Sequence, residues 1–227
     1  MPTYCNPLDL NYRFQVQGWA EKCLREAADP SLVFFQNKYW LFPSKTGGYW
    51  YSDDLHKWSF IASKILPVED YAPDVRVINN QLFFTASDTD GNKRKADCRI
   101  YKTTDPLNDQ WTMVSKLFPY HDPNMFQDDD RRVYLYWGCS PREPIKGIEL
   151  DSRTMQPVST AVNLIPANPA EHGFERFGLQ DYQKNPPYIE GAWLNKYQGK
   201  YYLQYAAPGT EENTYGDGVY IADKPLG

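Results

Sequence analysis

One pattern recurs four times along this chain. An acidic residue stands beside a Pro or Gly, a short apolar strand follows, then a polar turn, then a strand rich in Tyr, Phe, Trp and Leu. The copies span residues 28–44, 72–87, 121–138 and 190–206, and their turns read QNK, INNQ, DDDRR and YQGK. Polar residues of these types between two apolar runs suit hairpins. Each copy is followed by a second half, at 47–61, 98–114, 146–158 and 217–227, in which a strand runs into an Asp turn. In the first two, Trp58 and Trp111 follow the turn, suited to anchoring an outer strand. Each unit therefore reads as about four strands. The leading acids, Asp29, Asp74, Asp122 and Glu190, lie 45, 48 and 68 residues apart. Four-stranded repeats of roughly 40–50 residues are the signature of β-propeller blades. The expectation is an all-β propeller forming a single domain over 1–227.

The repeat gives the composition a meaning. Aromatic residues make up 16% of the chain, with 18 Tyr, 11 Phe and 7 Trp, and blade strands are where they would pack. A formal charge of -5 argues against nucleic acid as a partner, because phosphate neutralisation requires a basic face. No apolar run approaches the ~20 residues of a membrane span, so no membrane partner is expected. Four widely spaced cysteines, Cys5, Cys23, Cys98 and Cys139, form no CxxC pair. Free buried thiols are expected, with a Cys5–Cys23 bridge as the alternative. Residues 1–10 carry no basic start followed by an apolar run. Either the protein stays in the cytoplasm or a leader has been removed. Residues 21–28 could form a helical turn or two, or an ordered approach to Asp29. Residues 159–186 show no clear period and read as a long, functional loop.

The innermost strands of a propeller converge on its axis, so acids at their starts meet at one opening. Carboxylates held close raise one another's pKa and prepare one to act as an acid. Glycoside hydrolysis requires this: one carboxylate activates water while a second, protonated, serves the leaving oxygen. An Asp before Pro is also a common turn former, and that reading stands beside the chemical one. Trp50, Tyr71, Tyr188 and Trp193 lie near strand starts and could stack on a sugar, or pack blade against blade. Arg25 and Arg176 are the nearest basic candidates for binding hydroxyls. The acidic run 128–130 reads as a solvated turn rather than a cation site. His56, His121 and His172 have no metal-ligand spacing, so no metal site is expected.

These motifs resemble glycoside hydrolase family 43. They are ADPS at 28–31, APDV at 72–75, DPNMFQDDDRRVYLYWG at 122–138 and EGAW at 190–193, supported by SDDLHKW at 52–58 and GVYIADKPLG at the end. The resemblance covers residues 6–227 and implies a five-bladed propeller acting on arabinose- and xylose-containing glycans. It implies an inverting mechanism with Asp29 as base, Asp122 as modulator of the acid's pKa and Glu190 as acid. Asp29 and Glu190 would then be separated by roughly 6.5–9.5 Å. Asp74 falls near the family's pocket and is expected to bind substrate. His172, within HGFERFG, resembles a pocket-lining residue. The expected substrate is a carbohydrate with a terminal α-L-arabinofuranosyl or β-xylosyl unit; a non-catalytic carbohydrate-binding propeller is the alternative. No cofactor is required, although the family's last blade often carries a calcium-linked His. The fourth repeat runs to Gly227, so about four blades are expected, with an open edge suited to self-association. By resemblance the location would be extracellular or periplasmic.

Overall fold

The computed structural model describes residues 10, 15–17, 22–24, 27–67, 71–87, 97–176, 186–210 and 212–227. These are almost entirely strand and turn, and no helix among them is long and apolar enough to cross a membrane. Contacts divide the chain into two compact units, Met1–Pro119 and Tyr120–Gly227.

The first unit holds a two-stranded ribbon, β1 (Gln15–Gln17) with β2 (Lys22–Leu24), and two four-stranded antiparallel meanders. One meander is β3 (Ser31–Phe35), β4 (Lys38–Phe42), β5 (Gly48–Ser52) and β6 (Ser59–Ala62). The other is β7 (Tyr71–Ile78), β8 (Gln81–Ser87), β9 (Arg99–Asp105) and β10 (Gln110–Lys116). The second unit has β11 (Asn124–Gln127), β12 (Val133–Trp137), β13 (Ile145–Leu150) and β14 (Val162–Ile165) in one sheet. Its other sheet has β15 (Glu190–Tyr197), β16 (Lys200–Ala207) and β17 (Gly216–Ala222). Each of the four repeats thus forms one sheet. Two sequence expectations are corrected. Of the two alternatives for residues 21–28, the helical turn gives way to strand β2 at Lys22–Leu24, and the loop at 159–186 supplies β14 and a 3-10 turn at Gly173–Glu175.

Three of the four leading hairpins close through two residues at positive φ: Gln36 and Asn37 (50° and 59°), Asn79 and Asn80 (47° and 61°), and Gln198 and Gly199 (47° and 76°). That is the requirement of a type I′ turn, whose twist matches the strands it joins. The DDDRR turn is longer and is not simply solvated. Asp128 is buried, taking the Lys196 ammonium at 2.5 Å and the Tyr201 hydroxyl at 2.6 Å, while Asp129 and Asp130 are exposed. Burial pushes the Asp128 carboxyl up, but Lys196, Tyr201 and the Asp129 N–H outweigh it and hold the group below the ordinary carboxylate range. The cation on this acidic run is therefore a lysine of the neighbouring sheet.

Apolar burial supplies most of the stabilisation. In the first unit, Phe42 stacks on Tyr49 at 4.6 Å and Trp111 meets both rings edge-on at 6.0 and 5.9 Å. Buried polar tips must be paired, and here they form a chain: Trp111 Nε1 donates to the Tyr49 hydroxyl (3.0 Å), which donates to the Pro106 carbonyl (2.6 Å). Trp111 thus anchors the outer strand β10, as its place after the Asp turn suggested. The core of the second unit gathers Tyr134, Tyr136, Ile189, Leu194, Leu203 and Tyr205.

Candidate active site

The starts of the first strands are built alike in both units. Asp29, Ala72 and Asp122 each precede a proline and each have positive φ (51°, 45° and 51°), and Gly191 has φ 66°. Left-handed backbone costs a residue with a Cβ roughly 1–2 kcal/mol, so this is a repeated, imposed bend. In β7 and β15 it forms a bulge. Two residues, Ala72-Pro73 or Gly191-Ala192, stand between the paired positions where the partner strand has one. Bulges re-aim side chains.

The bend also corrects the register of the acids. The equivalent positions are Asp29, Ala72, Asp122 and Gly191, so Asp29 and Asp122 sit on the bend, Glu190 one residue before it and Asp74 two after. The displaced Asp74 enters β7. It is fully buried and ion-paired with Arg76 Nε at 3.0 Å, which leaves no carboxylate surface for a substrate.

Within each unit the bends are tied together. In the first, Asp29 Oδ2 accepts from Ser44 Oγ (3.1 Å), and Ser44 Oγ accepts from the Ala72 N–H (2.9 Å). In the second, Asp122 Oδ2 accepts directly from the Gly191 N–H at 3.0 Å. A second tie lies two residues past the bend in one strand and three in its partner: the Val75 N–H donates to Ser31 Oγ (3.0 Å), and the Leu194 N–H to Asn124 Oδ1 (2.8 Å). Ser31 and Asn124 are buried, so these polar side chains fasten one sheet to the next. Asp29 itself is exposed.

The second unit brings three chemical groups together. One carboxylate oxygen each of Asp122 and Glu190 and the sulfur of Cys139 lie within 4.8 Å of one another, all half-buried. Glu190 Oε1 accepts from the Tyr215 hydroxyl (3.0 Å) and Oε2 from the Cys139 thiol (3.5 Å), and Cys139 Sγ meets the Tyr188 hydroxyl at 3.0 Å. Burial first, then the Asp122 charge, push the thiol up; the Tyr188 hydrogen bond pulls it down, and the Glu190 charge adds a lesser push up. Burial, then Cys139 and the two carboxylates, push the Tyr188 hydroxyl up as well. Both are neutral at ordinary pH. Calcium takes oxygen donors, and one of these three groups is a sulfur, so this donor set does not fit the ion that the resemblance allows elsewhere in the family.

The aromatic candidates separate. Trp50 is 2% exposed with its ring tilted on Phe60, so it packs within its blade and offers no open face. Tyr71 is 36% exposed, with the Lys45 ammonium 4.2 Å from its ring centroid. Tyr188 is in the cluster, and Trp193 is half-buried in β15 next to the bulge. His172 turns to Glu175, its Nδ1 3.3 Å from Oε1. Glu175 is fully buried and also accepts from the Tyr205 hydroxyl (2.6 Å) and the Asn168 N–H (2.5 Å). His56 is exposed, His121 is half-buried, and Arg176 bridges to Pro187. Cys98 and Cys139 are free thiols. Arg25, Cys5 and the Cys23 side chain lie outside the described residues. A cavity of about 530 Å³ in the second unit, among Leu164, Leu203, Tyr220 and Ile221, contains none of the candidate acids. Cys139 and Tyr215 were missed by sequence reading. The place of Cys139, just past the aromatic-rich strand β12 of the third repeat, was the available signal for one, and nothing marked the other.

Residues 25–227 match the family described as Glycosyl hydrolases family 43. Over 109 residues the chain is 29% identical to "Beta-D-galactofuranosidase xynD" of Aspergillus niger, a match covering 47% of this chain and 25% of that protein. The chain thus spans about a quarter of that curated relative. Among solved structures it is similar to a thermostable family-43 glycoside hydrolase (TM-score 0.73, 19% identity, 99% of this chain and 73% of the other). It is also similar to an α-L-arabinofuranosidase of Clostridium thermocellum (0.63, 17%, 88% and 69%) and an endo-arabinanase of Bacillus licheniformis (0.70, 17%, 89% and 73%). At these identities the structures show the fold, an all-β propeller with four blades described in this chain. By its sequence match the chain belongs to glycosyl hydrolase family 43.

Proposed function

We propose that the chain carries the site of an inverting glycosidase that removes terminal α-L-arabinofuranosyl or β-xylosyl units from plant poly- and oligosaccharides. The observation that carries this reading is the pairing of Asp122 with Glu190 beneath neutral hydroxyl and thiol donors. A carboxylate beside a second one holds its proton to higher pH, and Glu190 is the acid in this reading, with Asp122 as its modulator. Asp29, exposed and oriented by Ser44, is the base that takes a proton from water. Water attacks the anomeric carbon as the bond to the leaving oxygen breaks and Glu190 protonates that oxygen. Tyr71, Tyr188 and Trp193 supply the apolar faces for the sugar. The names of the similar proteins, a galactofuranosidase, an arabinofuranosidase and an arabinanase, support a furanosyl or pentosyl unit.

The test is turnover of 4-nitrophenyl α-L-arabinofuranoside and β-xyloside, with the first-formed anomer followed by NMR. Release of the inverted sugar supports the reading. Retention at the anomeric carbon overturns the mechanism, and sugar binding without turnover overturns the enzyme in favour of a carbohydrate-binding propeller. Glu190→Gln should cost far more on substrates with poor leaving groups than on aryl glycosides, since the latter need less protonation.

A further inference from the structure

Cys139 is placed unlike an ordinary buried cysteine, which behaves as a small hydrophobe. Its sulfur lies between two polar partners, the Tyr188 hydroxyl at 3.0 Å and Glu190 Oε2 at 3.5 Å. A thiol has one proton, and the geometry directs it to Glu190, so the Tyr188 hydroxyl donates to the sulfur. The three groups form a relay in which the outer hydroxyl polarises the thiol that touches the carboxylate.

Two donors to Glu190 among the described residues are unequal. Tyr215 offers a phenolic hydroxyl at 3.0 Å, whereas Cys139 offers the weakest common side-chain donor. Hydrogen bonds to a carboxylate favour its charged form. A group that must keep its proton until the leaving oxygen takes it is served by a weak donor, which fixes the carboxyl's orientation without drawing the proton away. Among the described residues of this unit, the groups facing Glu190 include Asp122 from the start of β11, Cys139 from just past β12, Tyr188 from before β15 and Tyr215 from before β17.

We propose that Cys139, backed by Tyr188, is a positioning residue that holds the second carboxylate oxygen of Glu190 and sets the pH at which its acid form is lost. This rests on the glycosidase reading for its catalytic meaning, but the coupling can be measured without turnover. The whole chain, labelled with ¹³C at the glutamate carboxyls, is titrated by NMR, and the Glu190 signal is identified by its loss in Glu190→Gln. Cys139→Ser supplies a stronger donor and should move the Glu190 midpoint down by roughly half a pH unit or more. Cys139→Ala removes the donor and should move it up, and Tyr188→Phe should move it up by less. The alkaline limb of kcat/KM should follow the same order, because activity needs the protonated acid.

Thermal unfolding of each variant identifies those that fold, and the conservative Tyr188→Phe leaves the thiol in place should Cys139→Ala fail. Midpoints that coincide with wild type in the folded variants overturn the relay. Midpoints that move as stated while Glu190→Gln retains full turnover uphold the relay and sink the assignment of Glu190 as the acid.

Discussion

The backbone N–H of Gly191 donates to Asp122 Oδ2 at 3.0 Å, joining the starts of two strands 69 residues apart. The bond depends on the left-handed φ of Gly191, 66°. A Cβ there would meet Ala206 Cβ at 3.6 Å, which is ordinary contact, so backbone strain is the main penalty. Gly191→Ala should therefore destabilise by about 1–2 kcal/mol, read by urea unfolding. It should also lower kcat more than it raises KM, because it disturbs both acids at once.

Ser44 does in the first unit what that direct bond does in the second. The residue is 1% exposed, and its hydroxyl spans Asp29 and the Ala72 N–H. Ser44→Ala leaves a half-buried N–H without this acceptor and should cost about 1 kcal/mol. Activity should fall too, with the loss concentrated in kcat. An unchanged kcat would separate Asp29 from the chemistry.

The Tyr215 hydroxyl is the stronger donor on Glu190. Tyr215→Phe withdraws stabilisation from the charged carboxylate, so Glu190 should hold its proton to higher pH. The alkaline limb of kcat/KM should move up. Stability should barely change, since Tyr215 is 40% exposed.

Asp128 predicts a stability profile. Its folded carboxyl is held below the ordinary range, so the unfolded chain binds its proton first as the solution is acidified. The contribution is fully present above the unfolded value of about 3.9 and is lost as pH falls through the lower, folded value. The stability difference between wild type and Asp128→Asn should be greatest near neutrality and shrink below pH 4, measured by denaturant unfolding across pH. Tyr201→Phe, which removes the 2.6 Å hydroxyl donor, should cost about 1.5–3 kcal/mol at pH 7.

Much of the blade pattern could be read from residues 36–37, 79–80 and 198–199, because a type I′ turn admits few residue types and the apolar strands beside it leave one register. The strand at Val162–Ile165 was hidden because a four-residue edge strand between prolines has too little periodicity to stand out. Asp74 was misread for a more instructive reason. Aligning the repeats on their acids placed it with Asp29, whereas the backbone aligns them on the residue before proline, which is Ala72 in the second repeat. The dipeptides at 29–30, 72–73 and 122–123 carried that signal. Trp50 was open to either reading because an aromatic near a strand start looks the same in sequence whichever face of the sheet it occupies. Cys139 and Tyr215 come from chain segments 51 and 25 residues from Glu190, and tertiary structure alone brings them to it.

That wide spacing bears on when the site comes into being. Contacts between residues far apart in sequence are the slow ones, because the intervening chain must be ordered before they form. The Asp122–Gly191 bond needs both sheets of its unit in place, so it should appear only late in refolding, after the hairpins. Recovery of activity should then lag behind recovery of β-sheet signal, and catalysis would report the final closure of this unit.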